Sequence, residues 1–121
     1  MEVFATRDFF RRAVKAGMTT ESLLNAVRRI EKGSIDAQLG AGLIKQRVEI
    51  AGRGRSAGAR VIVFWRREEF VLFLHMFLKS EKGNLTPHEL NIYREAASVL
   101  SRLGPTEPAK RVAAGQWRIV E

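Results

Sequence analysis

The sequence predicts an α+β domain, with a helical hairpin near the N-terminus, a run of strands, and a C-terminal helix. Three observations predict it. Apolar residues recur at helical spacing from Phe9 to Ile30, switch to a period of two between Ile44 and Phe77, and return to helical spacing from Leu90 to Leu103. Gly17 and Gly33 stand where helices would close. The run T-P-H-E at residues 86–89 supplies a cap residue, a proline at the first helical position and a glutamate three residues after the cap.

Taken in order, Val3 and Phe4 suit a short first strand. Thr6 then caps a helix whose first turn carries Asp8, where the helix dipole favours an anion. Phe9, Phe10, Ala13 and Val14 form its apolar side. Thr19 or Thr20 caps a second helix, with Leu23, Leu24, Val27 and Ile30 as its stripe. So short a link predicts an antiparallel pair within residues 6–33. The segment S-I-D-A-Q-L-G-A-G reads as a loop anchored by Ile35 and Leu39.

From there Ile44, Val48 and Ile50 alternate with Lys45, Arg47 and Glu49, so Lys45 and Arg47 share one face of a strand near 43–50, and Gln46 interrupts the other. Residues 60–66 and 70–78 are apolar on both alternations, as in strands covered on two sides. R-R-E-E joins those two strands as a hairpin, while G-R-G-R-S-A-G-A predicts a projecting loop. The last helix begins at Thr86 or Pro87 and stops at Gly104-Pro105. Residues 106–114 suit another helical turn, and Trp117 to Val120 a closing strand.

Length and composition narrow the function. A chain of 121 residues reads as one domain, 1–121, able to bury roughly two-thirds of its unfolded surface. With no cysteine, disulfides and thiol catalysis are excluded, and no zinc or other metal site is expected. No apolar run approaches the roughly 20 residues that cross a bilayer, and M-E-V-F-A-T-R-D lacks the order of a signal peptide. The expected compartment is therefore the cytoplasm, with no membrane partner. Against this ordinary background stand 21 Lys+Arg and 13 Asp+Glu, a net charge of +8 that favours polyanions.

Four constellations offer chemistry. The glycine/arginine loop fits neither a Walker loop, which needs Gly-Lys-Ser/Thr opening a helix, nor a dinucleotide fold, which needs a parallel βαβ unit. No small-molecule cofactor is expected. Arg53 and Arg55 then either contact RNA phosphates or decorate a solvated turn. Lys45, Arg47 and Arg60 converge on one face if their strands pair; they either solvate that face or cleave RNA. In cleavage a lysine takes the 2′-hydroxyl proton and arginines stabilise charge building on the phosphate. His75, in the most apolar strand, and His88, in a first helical turn, read as core and surface residues. Lys79 and Lys82 in K-S-E-K form a charged turn or extend the basic face.

The run G-L-I-K-Q-R-V-E-I-A-G-R-G-R-S-A-G-A-R-V-I-V resembles a family pattern of G-L-x-K-x-R, a Gly/Lys/Arg loop and G-x-R before an apolar strand. F-L-K-S-E-K-G-N-L is similar to F-x-K-N-E-R-x-N-I. Together these mark a RelE/HigB-like toxin of the RelE/ParE superfamily. The resemblance implies an N-terminal helical hairpin packed on a twisted, mainly antiparallel sheet of three to five strands, followed by a C-terminal helix. It also implies a type II toxin–antitoxin role: a ribosome-dependent mRNA endoribonuclease, or mRNA interferase, that cuts without metal. Partners would be a cognate antitoxin, the ribosome and mRNA. Carried over by position, Lys45, Arg47, Arg60 and Lys79 would be catalytic, with Arg53, Arg55 and Lys82 as RNA contacts. K-S-E-K departs from K-N-E-R by losing an amide and a guanidinium, and Leu85 and Thr86 stand where RelE has a base-stacking tyrosine. The alternatives are the ParE branch, which inhibits DNA gyrase, and a non-catalytic RNA- or ribosome-binding module.

Overall fold

Nine residues of near-unbroken apolar character, F-V-L-F-L-H-M-F-L, are buried only where both faces of a strand are covered, and the rest of the chain is arranged to cover them. The computed structural model describes residues 1–50, 52 and 58–121. The elements are β1 (Glu2–Thr6), α1 (Arg7–Lys15), α2 (Thr20–Glu31), β2 (Ala37–Gly40), β3 (Leu43–Val48), β4 (Ala59–Arg66), β5 (Phe70–Leu78), α3 (Pro87–Leu100), α4 (Glu107–Ala113) and β6 (Trp117–Ile119). The six strands form one sheet in the order β2-β3-β4-β5-β1-β6. Neighbours from β2 to β5 run antiparallel, whereas β1 runs parallel to β5 and antiparallel to β6.

Alternation sorts the strand residues onto two cores. Ile44, Val48, Val61, Val63, Val71 and Phe73 face α1 and α2, where they meet Phe9, Leu23, Val27 and Ile30. Leu43, Ile62, Phe64, Leu72 and Phe77 face the other way, under Ala97 and Leu100 of α3. No described helix is long and apolar enough to cross a membrane.

This architecture corrects the expected fold class. The chain enters as a strand, not as a helical hairpin; α1 and α2 follow it. The sheet is mixed and has six strands, not three to five mainly antiparallel ones, and the C-terminal helix is followed by α4 and β6, which answer to the expected helical turn at 106–114 and closing strand at 117–120. β1 is the short first strand expected at Val3 and Phe4, but it lies inside the sheet with both faces of its five residues used: Val3 and Ala5 fill one core and Phe4 the other. β2 was read as loop because its turn to β3 lacks the usual Asn-Gly or Asp-Gly signal. Ala41 (φ 57°) and Gly42 (φ 83°) are both left-handed, as a two-residue hairpin turn requires. At Gly42 a Cβ would lie 3.0 Å from the Phe64 ring and 3.2 Å from the Trp65 carbonyl, so the turn presses directly on β4.

Two side chains fix α3 on its face of the sheet. At its C-terminus Arg66, from the end of β4, donates to the carbonyls of Leu100 (3.1 Å) and Leu103 (2.8 Å) while pairing with Glu69 at 2.7 Å. Besides Arg66 the Leu100 carbonyl receives the Leu103 amide at 3.3 Å, and α3 has no basic residue of its own in its last turn. At its N-terminus the capping box is complete: Thr86 Oγ1 accepts from the Glu89 amide at 3.1 Å, and the Glu89 carboxylate accepts from the Thr86 amide at 2.9 Å. The same carboxylate takes Lys82 Nζ at 2.5 and 2.6 Å. The hydrogen bond from Lys82, helped by the Thr86 amide, holds Glu89 well below its ordinary 4.5, at about 2.

Two predictions follow from these ends. Arg66→Met keeps the apolar stem but removes the side-chain donor shared by the Leu100 and Leu103 carbonyls, and should lower stability by about 1–3 kcal/mol, read as an earlier urea midpoint at unchanged slope. Because folding lowers the Glu89 pKa, its contribution is present above 4.5 and is lost as pH falls toward about 2. The stability gap between the parent chain and Glu89→Gln should therefore be widest near neutrality and close across that window in urea titrations at stepped pH; a pH-independent gap would refute the assignment.

Candidate functional site

β3 pairs with β4 so that Lys45 lies opposite Ile62, and Arg47 opposite Arg60; β4 in turn places Ile62 against His75 and Arg60 against Phe77. The rows Lys45–Ile62–His75 and Arg47–Arg60–Phe77 thus lie side by side at one end of the sheet, on the face covered farther along by α3. They belong to one surface because β3, β4 and β5 keep strict alternation there, a register shift falling only beyond Ile62.

Arg60 is partly buried, and its guanidinium makes one long contact, 3.4 Å, to the neighbouring Ala59 carbonyl. No carboxylate pairs with it among the described residues. Lys45 Nζ donates to Asn84 Oδ1 at 3.2 Å, so the turn after β5 folds back toward β3. Asn84 Oδ1 also receives the Leu85 amide at 2.9 Å, which fixes the acceptor in place. Lys79 is exposed just past β5, its backbone amide 3.3 Å from the Gly58 carbonyl. Lys82 is engaged by Glu89 and sits 5.7 Å from the centre of the Phe77 ring. Arg53 and Arg55 lie outside the described residues.

Arg47 departs from the common face. Its amide donates to Asp36 Oδ2 at 2.7 Å, and its guanidinium reaches the same carboxylate through two contacts of 3.4 Å. Arg29 of α2 donates to the Arg47 carbonyl and lies 3.9 Å from Asp36. Both backbone groups of Arg47 therefore point to the outer edge of β3, past the end of β2. Arg47 and Arg60 must then be a non-hydrogen-bonded pair, the closer of the two antiparallel geometries. Two cations so placed repel, and Asp36 draws one of them aside. Gln46, fully buried on the other face, ties the same segment down by accepting from the Asp36 amide (2.9 Å) and donating to the Ser34 carbonyl (2.8 Å).

The residues that sequence reasoning did not assign to the site are His75 and Tyr93. Their rings stack 5.2 Å apart at 29°, beside Phe77. Beyond Phe73, β5 has no partner on its β1 side, and through this opening Arg12 of α1 reaches His75 Nδ1 at 3.1 Å. Arginine only donates, so Nδ1 accepts and the proton of the neutral ring is on Nε2. Burial, with the Arg12 charge added, lowers the His75 pKa from 6.5, so the ring is neutral at physiological pH. Burial and the nearby Glu89 raise that of Tyr93. The available signal was His75 itself, the one ionisable residue in β5. His88 is exposed in the first turn of α3.

The surface thus offers cations without carboxylate partners among the described residues (Arg60, Lys45 and Lys79), a neutral imidazole and an aromatic stack, next to a turn with an amide acceptor. Among the described residues, no three or more His, Cys, Asp or Glu side chains are grouped to hold a metal ion.

A model of the family described as the RelE toxin of the RelE/RelB toxin–antitoxin system matches residues 1–118, which include every element from β1 to α4 and nearly all of β6. A comparison with curated proteins gave no match. The chain therefore belongs to the RelE toxin family and is the toxin of a toxin–antitoxin pair, with a cognate antitoxin as its partner.

Proposed function

We propose that this toxin is an endoribonuclease that cleaves mRNA on the ribosome, with Arg60 as the central stabiliser of the phosphate. The observation that carries the reading is Arg60 itself: a half-buried guanidinium without a carboxylate, one strand from Lys45 and beside the turn bearing Lys79. A half-buried cation left unneutralised is costly unless an anion arrives to pair with it.

In this reading the 2′-oxygen attacks the adjacent phosphorus, the bond from phosphorus to the 5′-oxygen breaks, and the products are a 2′,3′-cyclic phosphate and a 5′-hydroxyl. One proton leaves the 2′-hydroxyl and one reaches the 5′-oxygen. Lys45 and Lys79 handle those protons, and Arg60 stabilises the charge on the phosphoryl oxygens. Arg47, tethered to Asp36, supports the strand edge and contributes positive field from there. Lys82 is neutralised by Glu89 and orders the turn, leaving Arg53 and Arg55 as the loop's RNA contacts. The cytoplasm, where ribosomes are found, is the compartment this reading requires.

Arg60→Ala should lower the single-turnover cleavage rate on ribosome-bound message about a hundredfold or more, the scale of losing one preorganised electrostatic stabiliser. Ribosome affinity should change far less, because many other cations share that load. His88→Ala should cut at the parent rate. If Arg60→Ala and Lys45→Ala both cut at the parent rate, the cationic mechanism is wrong. DNA breaks with intact messages on induction would instead support the gyrase-directed branch.

A further inference from the structure

Arg47 leads to a second feature, away from the surface that carries Arg60. At the outer edge of β3, α2 overhangs a cavity of about 300 Å³ lined by Ser22, Asn25, Arg28, Arg29, Lys32, Arg47 and Glu49. The α2 residues recur at helical spacing, 22, 25, 28/29 and 32, so they form one stripe along the helix flank. Four cations share this space with one carboxylate.

Three of these cations are held in place. Arg29 is tied to the Arg47 carbonyl and to Asp36, Arg47 to Asp36, and Arg28 to the Asn25 side-chain oxygen. Arg29 and Arg47 keep 33% and 39% of their side chains exposed, so N–H groups remain for a ligand after these contacts. Preorganised guanidinium forks match phosphate oxygens in geometry.

We propose that this cavity binds a phosphate of the RNA backbone and serves as a positioning site for the message. The proposal rests on the RNA-directed reading above and extends it to a surface that reading does not use. The chemistry of the lining favours a polynucleotide over an acidic protein segment. The lining offers donors almost throughout and has no aliphatic or aromatic residue. A phosphodiester brings only acceptors. A peptide would bring N–H donors, with few acceptors to receive them. β3 also links the two surfaces: Lys45 faces the Arg60 side, and Arg47, two residues on, lines the cavity. One strand of RNA can therefore engage both, its phosphates setting position while the Arg60 surface performs the chemistry.

The test uses the full chain and an uncleavable 2′-O-methyl oligoribonucleotide, with affinity read by fluorescence anisotropy over a salt series. Arg28→Gln/Lys32→Gln removes two cations that support no strand. It should reduce the slope of log affinity against log salt by about 0.7, the share of one neutralised phosphate on a single strand. Arg102→Gln/Lys110→Gln, the same loss of charge elsewhere, should leave the slope near the parent value. An equal fall in both variants, or none in the first, overturns the proposal. If the parent chain still cleaves message, the proposed function survives that failure.

If the parent neither cleaves nor binds RNA, the proposed function fails, and titration with inorganic phosphate decides the cavity separately. Amide shifts centred on residues 25–32 and 47–49, lost in Arg28→Gln/Lys32→Gln, would keep it as a phosphate site; their absence would overturn it. Occupation by a polyglutamate peptide in preference to RNA would also overturn it, and would assign the cavity to an acidic protein.

Discussion

Because β4 and β5 are buried on both faces, charge can leave the sheet only at strand ends and at the outer edge. The apolar run of β4 is bounded by Arg60 at one end and Arg66 at the other, and the two do different work. Arg66 is consumed by structure: it closes α3, pairs with Glu69 and lies 4.6 Å from the centre of the Phe70 ring. Arg60 has no such duties. The asymmetry between the ends arises from α3, whose C-terminus covers the Arg66 end, while its N-terminus and the turn before it frame the Arg60 end without neutralising it. The same scaffold that buries Phe64, Phe70 and Leu72 thus decides which arginine is available.

Carboxylates make a similar selection among the other cations. Asp36 restrains Arg47 and Arg29; Glu89 restrains Lys82 and completes the cap of α3. Each acid does two jobs, one in the backbone and one with a cation, so neutralisation at these points is tied to the fold itself. A net charge of +8 says that cations are in excess but not which ones remain unpaired. That is decided by three-dimensional contacts such as Asp36 with Arg47, which are eleven residues apart.

This explains what the sequence made legible. The period-two runs located β3, β4 and β5 because each is long enough for alternation to show, and their antiparallel pairing brings Lys45 and Arg60 onto neighbouring rows. The T-P-H-E run located the start of α3 because the cap is purely local chemistry. β1 and β6 were legible as short strands but their places in the sheet were not, since their partners are distant in the chain; β2, with four residues, is too short for a period to emerge and read as loop. The direction of the Arg47 side chain was equally hidden, since alternation predicts the face of a Cβ but not where a long, flexible guanidinium comes to rest. The His75–Tyr93 stack joins β5 to α3 and could not be read from either segment alone.

The place of β1 in the sheet has a temporal consequence. β1 precedes its partners at residues 70–73 and 117–119, so it cannot be paired until β5 has been made. Until then Val3, Phe4 and Ala5 have no sheet to enter. Contacts so distant in sequence slow folding and leave apolar strand edges open meanwhile. Synthesis therefore runs ahead of folding: β1 waits unpaired while α1, α2, β2, β3 and β4 are made, and β5 completes the sheet around it.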